Sequence, residues 1–163
     1  MKDLLILEND GWEYVERKKA KEAVAILAVN DDGRVILTEQ LRRPVNARVV
    51  DFPAGLVGDE DESVDAAATA KKELEEETGH VCDDVELLAR GPSSPGITSE
   101  IVSFYRATGV RRVGEGGGVG SESITVHTIP LSRIERFLRD KESEGVLIDL
   151  KIWGGLYFLT KST

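Results

Sequence analysis

The sequence of 163 residues has one cysteine, Cys82, so an internal disulfide framework is excluded. A lone thiol is compatible with a reducing compartment, and its expected place is the core. Long hydrophobic runs are also missing. No apolar stretch reaches the roughly 18 residues that a membrane-spanning helix needs. The opening Met1-Lys2-Asp3-Leu4-Leu5-Ile6-Leu7-Glu8 is too short and too soon acidic for a secretory signal. These features predict a soluble, cytoplasmic protein without a membrane partner. Basic charge is scarce: 21 Lys and Arg face 30 Asp and Glu, a net charge of −9. A nucleic-acid backbone demands the opposite surface, so it is not the expected partner. The two histidines, His80 and His127, stand apart, and packing or surface roles are expected for both.

What is present is 40% apolar residues, enough at this length for one domain with a sizeable core, and a concentration of carboxylates. Lys72-Glu73-Leu74-Glu75-Glu76-Glu77-Thr78-Gly79 closes a segment whose alanines at 66–68 favour helix. In a helix from about Ser63 to Thr78, Glu73, Glu76 and Glu77 fall at i, i+3 and i+4 on one face. Ser63 is the expected N-cap, and Gly79 the left-handed residue beyond the C-terminus. Like charges at that spacing cost about 0.2–0.5 kcal/mol per pair. On the residues alone two readings stand: a solvated acidic face, or a site balanced by basic partners or a divalent cation. Magnesium and manganese prefer such carboxylate and carbonyl oxygens. The loop Asp59-Glu60-Asp61-Glu62-Ser63-Val64-Asp65 starts like a calcium loop, but Val64 and Ala70 stand where glycine and glutamate are required.

Elsewhere, Trp12 to Arg17 alternates aromatic or apolar residues with charged ones, a half-exposed strand. Ala23 to Val29 reads as a strand buried on both faces. Asn30-Asp31-Asp32-Gly33 is a turn into a hairpin partner, Val35-Ile36-Leu37, and Pro44 ends the strand that follows. Val85 to Leu88 and Ile101 to Tyr105 are further strands, separated by an irregular Pro- and Gly-rich loop over Arg90 to Gly96. Gly109 to Ser121 is the most flexible-looking stretch. Ser132-Arg133-Ile134-Glu135 has the pattern of a capping box, opening a helix with Ile134, Phe137 and Leu138 inward. A last helix, Asp149 to Leu159, carries an Ile152, Leu156 and Leu159 stripe, and its Gly154-Gly155 pair implies close packing or a partner surface.

Pro53-Ala54-Gly55 followed by Glu73-Leu74-Glu75-Glu76-Glu77-Thr78-Gly79 resembles the Nudix box, G-x5-E-x7-R-E-U-x-E-E-x-G-U with U apolar. Spacing matches from Lys72 to Gly79. Lys72 holds the arginine slot, without the fork that grips two carboxylates, and His80 the last apolar slot. Gly55 lies three residues further from Glu73 than the pattern has, and counting back from Lys72 puts Val64 in the first glutamate slot and Gly58 in the glycine slot. Either the loop 57–62 carries an insertion, the favoured reading, with Glu62 or Asp61 replacing the first glutamate, or that glutamate's role is missing. Pro53-Ala54-Gly55, Pro95 sixteen residues beyond Gly79, and Glu122-Ser123-Ile124-Thr125-Val126 are similar to the branch that hydrolyses ADP-ribose.

The resemblance implies an α+β fold, an α/β/α sandwich with a mixed sheet between helices. It implies a single domain over 1–163, with residues 1–19 as an N-terminal β extension and dimer arm. By resemblance, Glu73, Glu77 and the Ala54 carbonyl ligate Mg2+ or Mn2+, and Glu76 supports the cluster. Glu122 acts on water, and Arg42 clamps the diphosphate. Asp51, Pro95 and Trp12 complete the substrate-binding set, Trp12 by stacking on the base in a homodimer. The implied activity is hydrolysis of nucleoside diphosphate sugars, ADP-ribose first. Dinucleoside polyphosphates or a coenzyme are alternative substrates, and a non-catalytic regulatory module that binds nucleotide sugars is an alternative of another class.

Overall fold

The computed structural model describes residues 4–20, 22–58, 63–120 and 122–161. It begins with a hairpin of β1 (Leu4–Asn9) and β2 (Trp12–Arg17), antiparallel through the two-residue turn Asp10-Gly11. Both turn residues have positive φ, 53° and 81°, as a hairpin turn matched to strand twist requires. Next come β3 (Glu22–Asn30), β4 (Arg34–Arg42), β5 (Ala47–Asp51) and β6 (Ala54–Leu56). The helix α1 (Ala66–Thr78) is followed by β7 (His80–Val81), β8 (Asp84–Pro92), β9 (Ile101–Arg112) and β10 (Thr125–Pro130). A 3-10 turn, α2 (Ile134–Ser143), β11 (Leu147–Ile148) and α3 (Leu150–Lys161) end the described chain.

The main sheet runs β11-β5-β4-β3-β9-β7, with β10 on β4, β6 on β3 and β8 on β9. The pairs β3/β9 and β11/β5 are parallel and the others antiparallel, so the sheet is mixed. Side chains alternate across β3, which accordingly feeds two cores. Ala25 and Leu27 pack with Phe52, Leu138, Ile152 and Leu156 beneath α2 and α3, while Val24, Ile26 and Ala28 pack with Ala70 and Leu74 of α1. The α/β/α sandwich expected from the sequence is this arrangement, and residues Val24 to Ala28 are wholly buried on both faces. No helix among the described residues is long and apolar enough to cross a membrane.

Several local expectations are corrected. The cap of α1 is Asp65, whose carboxylate accepts from Ala68 N at 2.7 Å, and the helix starts three residues after Ser63. Ser132 lies in the 3-10 turn Leu131–Arg133, and α2 has no side-chain cap, so the capping-box pattern does not form one. β8 continues through Arg90 and Gly91 to Pro92 because these residues pair with Ser103, Val102 and Ile101 of β9, and β9 continues through Gly109 to Arg112 because Val110 pairs with Asn30 of β3 and Arg111 and Arg112 pair with Val81 and His80 of β7. Gly79 does take the left-handed conformation, φ 68°. His80 and His127 are held by protein groups, Thr78 and Glu39 respectively, and Cys82 packs partly buried against the α1-side core.

Candidate active site

Four segments meet at one cavity of about 350 Å³ on the α1 side of the sheet. β4 delivers Gln40 and Arg42 from its end, two residues apart and so on one face. β6 delivers Ala54 and Gly55, α1 delivers Glu73, Glu76 and Glu77, and the β9–β10 connection delivers Glu122. The 3.6-residue period of α1 aims the three glutamates into the same space. The Pro53 carbonyl accepts from Ile26 N at 2.8 Å and fixes the Pro53-Ala54 turn to β3. A Cβ added at Gly55 would overlap the Glu73 side chain, so glycine there leaves the space that the Glu73 carboxyl group occupies. Lys72 reaches Glu76 at 3.5 Å, one turn along.

Glu77 is the most buried of the carboxylates that line the cavity and accepts from Ala54 N at 3.0 Å. Burial pushes its pKa up to about 8; the Ala54 hydrogen bond opposes this, while Glu73 adds to it. A buried carboxylate beside other carboxylates, with a backbone carbonyl at the same turn, is a donor set of the kind hard divalent cations take. Among the described residues, no three of His, Cys, Asp and Glu already form a group able to hold a metal ion. Asp61 and Glu62, read as substitutes for the first glutamate, lie outside the described residues.

A NUDIX domain model matches residues 19–146, which contain the whole cavity. This chain belongs to the Nudix family. Among its relatives, an ADP-ribose pyrophosphatase of Bacillus subtilis is 40% identical over 103 residues, spanning 62% of this chain and 53% of that protein. A methanol dehydrogenase activator of Bacillus methanolicus is 31% identical over 120 residues, 73% of this chain and 63% of that protein. The matched regions thus span between half and two thirds of those relatives. A crystal structure of an ADP compounds hydrolase superposes with a TM-score of 0.62 over 85% of this chain and 81% of that one, at 19% identity, which shows a shared fold.

The Nudix cavity gathers Arg42, Ala54, Glu73, Glu76, Glu77 and Glu122, but not the other residues expected at the substrate. Trp12 and Pro95 line a separate groove of about 400 Å³ with Tyr14 and Thr98. There the N-terminal hairpin docks on the β8–β9 loop: Val15 N donates to Ile97 O at 2.8 Å and Trp12 Nε1 to Gly96 O at 3.3 Å. Asp51, expected in the substrate-binding set, is buried and does not line the cavity. Its carboxylate meets Lys151 Nζ at 2.9 Å and accepts from Phe52 N at 2.8 Å. Burial pushes its pKa up to about 6 against the pull of Lys151. Asp51 thereby pins the strand end that leads into Pro53-Ala54. Gln40 and Thr69 are polar cavity residues that were missed in the sequence; for Gln40 the i, i+2 relation to Arg42 on a strand was the available signal.

Proposed function

We propose that this chain hydrolyses the diphosphate bond of nucleoside diphosphate sugars, with ADP-ribose, cleaved to AMP and ribose 5-phosphate, as its first substrate. The observation that carries the reading is the convergence of Arg42, Ala54 and four glutamates on one cavity. Arg42 suits the diphosphate because a guanidinium grips two phosphate oxygens at once. Glu122 orients a water and takes its proton as the oxygen adds to one phosphorus; the bridging P–O bond breaks, and the other phosphate leaves. Glu73, Glu77 and the Ala54 carbonyl would hold Mg2+ or Mn2+, with Glu76, steadied by Lys72, beside them. When bound, such a cation offsets phosphate charge and lowers the pKa of water. The base would stack on Trp12 beside Pro95 in a homodimer whose N-terminal hairpins serve the partner's cavity. A cytoplasmic enzyme fits this role.

The test is a phosphate-release screen of nucleotide sugars, coenzymes and dinucleoside polyphosphates, with magnesium or manganese. ADP-ribose should be cleaved and the Glu77→Gln variant should lose turnover by about two orders of magnitude or more. A protein that binds these compounds and cleaves none would be the regulatory module. An unchanged rate for Glu77→Gln at saturating metal would remove Glu77 from the reaction.

A further inference from the structure

The carbonyls that end α1 have no partners within the helix, a general property of helix C-termini. Here the partners come from outside it. Gly79 N closes on Glu75 O at 2.8 Å, and the His80 ring meets Thr78 O at 2.9 Å. The glycine-rich β9–β10 connection supplies the rest: Gly118 N donates to Glu76 O at 3.1 Å, and Gly117 N to Glu77 O at 2.8 Å. Val113 N and Gly114 N both donate to Gly79 O, at 2.8 and 3.0 Å. The stretch that composition marks as flexible is therefore hydrogen-bonded to the backbone of the very residues whose side chains face the cavity.

Glycine is demanded by this contact. Gly116 and Gly118 have φ of 69° and 87°, and a Cβ at Gly116 would overlap the Thr78 backbone. A Cβ at Gly118 would lie 2.5 Å from Glu122 Oε2 and 2.7 Å from Glu122 Cβ. On the far side of the loop, Val119 N donates to Glu122 Oε2 at 2.9 Å, and Ile124 N to Gly117 O at 3.2 Å. The loop thus grips α1 with one edge and Glu122 with the other.

We infer that Gly116-Gly117-Gly118 is a backbone clamp that caps α1 and sets the position of Glu122 relative to Glu76 and Glu77, making Gly118 a positioning residue for the reaction. The catalytic half of this inference rests on the role proposed for Glu122; the clamp itself does not. Coupling through backbone bonds leaves little freedom, because a shift of α1 carries the loop with it, and so carries Glu122.

Two measurements test it. In amide hydrogen exchange of the full chain, Gly117 and Gly118 should exchange at least about tenfold more slowly than the neighbouring amide of Gly120, as clamped amides do. Exchange of all three at one open-loop rate would overturn the clamp. In steady-state kinetics, Gly118→Ala should lower kcat at least about tenfold with KM and the metal midpoint nearly unchanged, and should cost nothing further in a Glu122→Gln background. Gly120→Ala is the control, since Gly120 shares a positive φ, 63°, but has open space around a Cβ, and it should retain most of the activity. Fully additive losses in the double variant, or equal losses at Gly118 and Gly120, would refute positioning. A Glu122→Gln variant as active as the parent would refute the role of Glu122 and leave the clamp to stand or fall on exchange alone.

Discussion

Glu39, in mid-strand on β4, is buried outside the cavity and held by three basic side chains. His127 Nε2 lies at 2.8 Å, Lys141 Nζ at 3.1 Å, and the Arg48 guanidinium donates to it as well. Burial alone would raise its pKa, but Arg48, His127 and Lys141 together hold it down to about 2. A carboxylate with a lowered folded pKa contributes stability that is complete above the unfolded value, about 4.5, and lost as pH falls toward 2. Glu39→Gln should therefore cost roughly 2–3 kcal/mol near pH 7, the scale of charged hydrogen bonds left unmade. The gap from the parent protein should close as pH drops from about 5 to 2. Urea unfolding across that range measures it, and a pH-independent cost would show that Glu39 acts by packing alone.

Among the elements, α3 shows how one residue type can carry opposite consequences. A Cβ at Gly155 would overlap the Phe52 ring, whereas one at Gly154 would reach Phe104 at an ordinary 3.4 Å. Gly155→Ala should destabilise by about 1–3 kcal/mol through overpacking, while Gly154→Ala should be neutral or stabilise by up to about 1 kcal/mol through helix propensity. Thermal unfolding of the two variants checks the sign, and equal shifts would remove the close packing. The close approach was foreseeable from the Gly-Gly pair, but not which glycine needed it. Much of the site was legible in the same manner: the i, i+3, i+4 glutamates, the Pro53-Ala54-Gly55 turn and the left-handed Gly79 are local patterns, and the structure keeps them local. β1 could have been read from Asp10-Gly11, a strong hairpin signal. The loop 113–118 could not, because a glycine's only recognition groups are its backbone N–H and C=O, and their partners on α1 lie more than thirty residues earlier. Ser132 misled because a capping sequence describes a helix start in isolation, and here β10 runs directly into a 3-10 turn.

For the molecule as a whole, the two-stranded sheet of β1 and β2 is separate from the main sheet and joins the β8–β9 loop through hydrogen bonds at Val15 and Ser99. Ile6 and Trp12 are 81% and 62% exposed, large apolar groups on opposite faces of the hairpin by its register, Ile6 against Val15 and Trp12 against Asn9, surface that a second protomer would cover in the proposed dimer. Light scattering should give a dimer at micromolar concentration, and a monomer would refute the arm. Trp12→Ala should raise KM with kcat nearly constant, by a factor set by the ~1–3 kcal/mol of base stacking; no change in either constant would leave Trp12 a packing residue. The parallel pair at the centre of the main sheet bears on a different matter, the order in which the chain can be built. β3 lies beside β9 with Glu22 against Ile101 and Asn30 against Val110. During synthesis β3 can meet β4 and β6 early, but its other edge waits until Arg112 has left the ribosome. Until then an apolar strand stands open, closed at last by one long-range crossover, the step of lowest local encouragement and greatest exposure to wrong partners. Production of this protein should accordingly be limited by the speed of elongation and the supply of chaperones before it is limited by the stability of the finished fold.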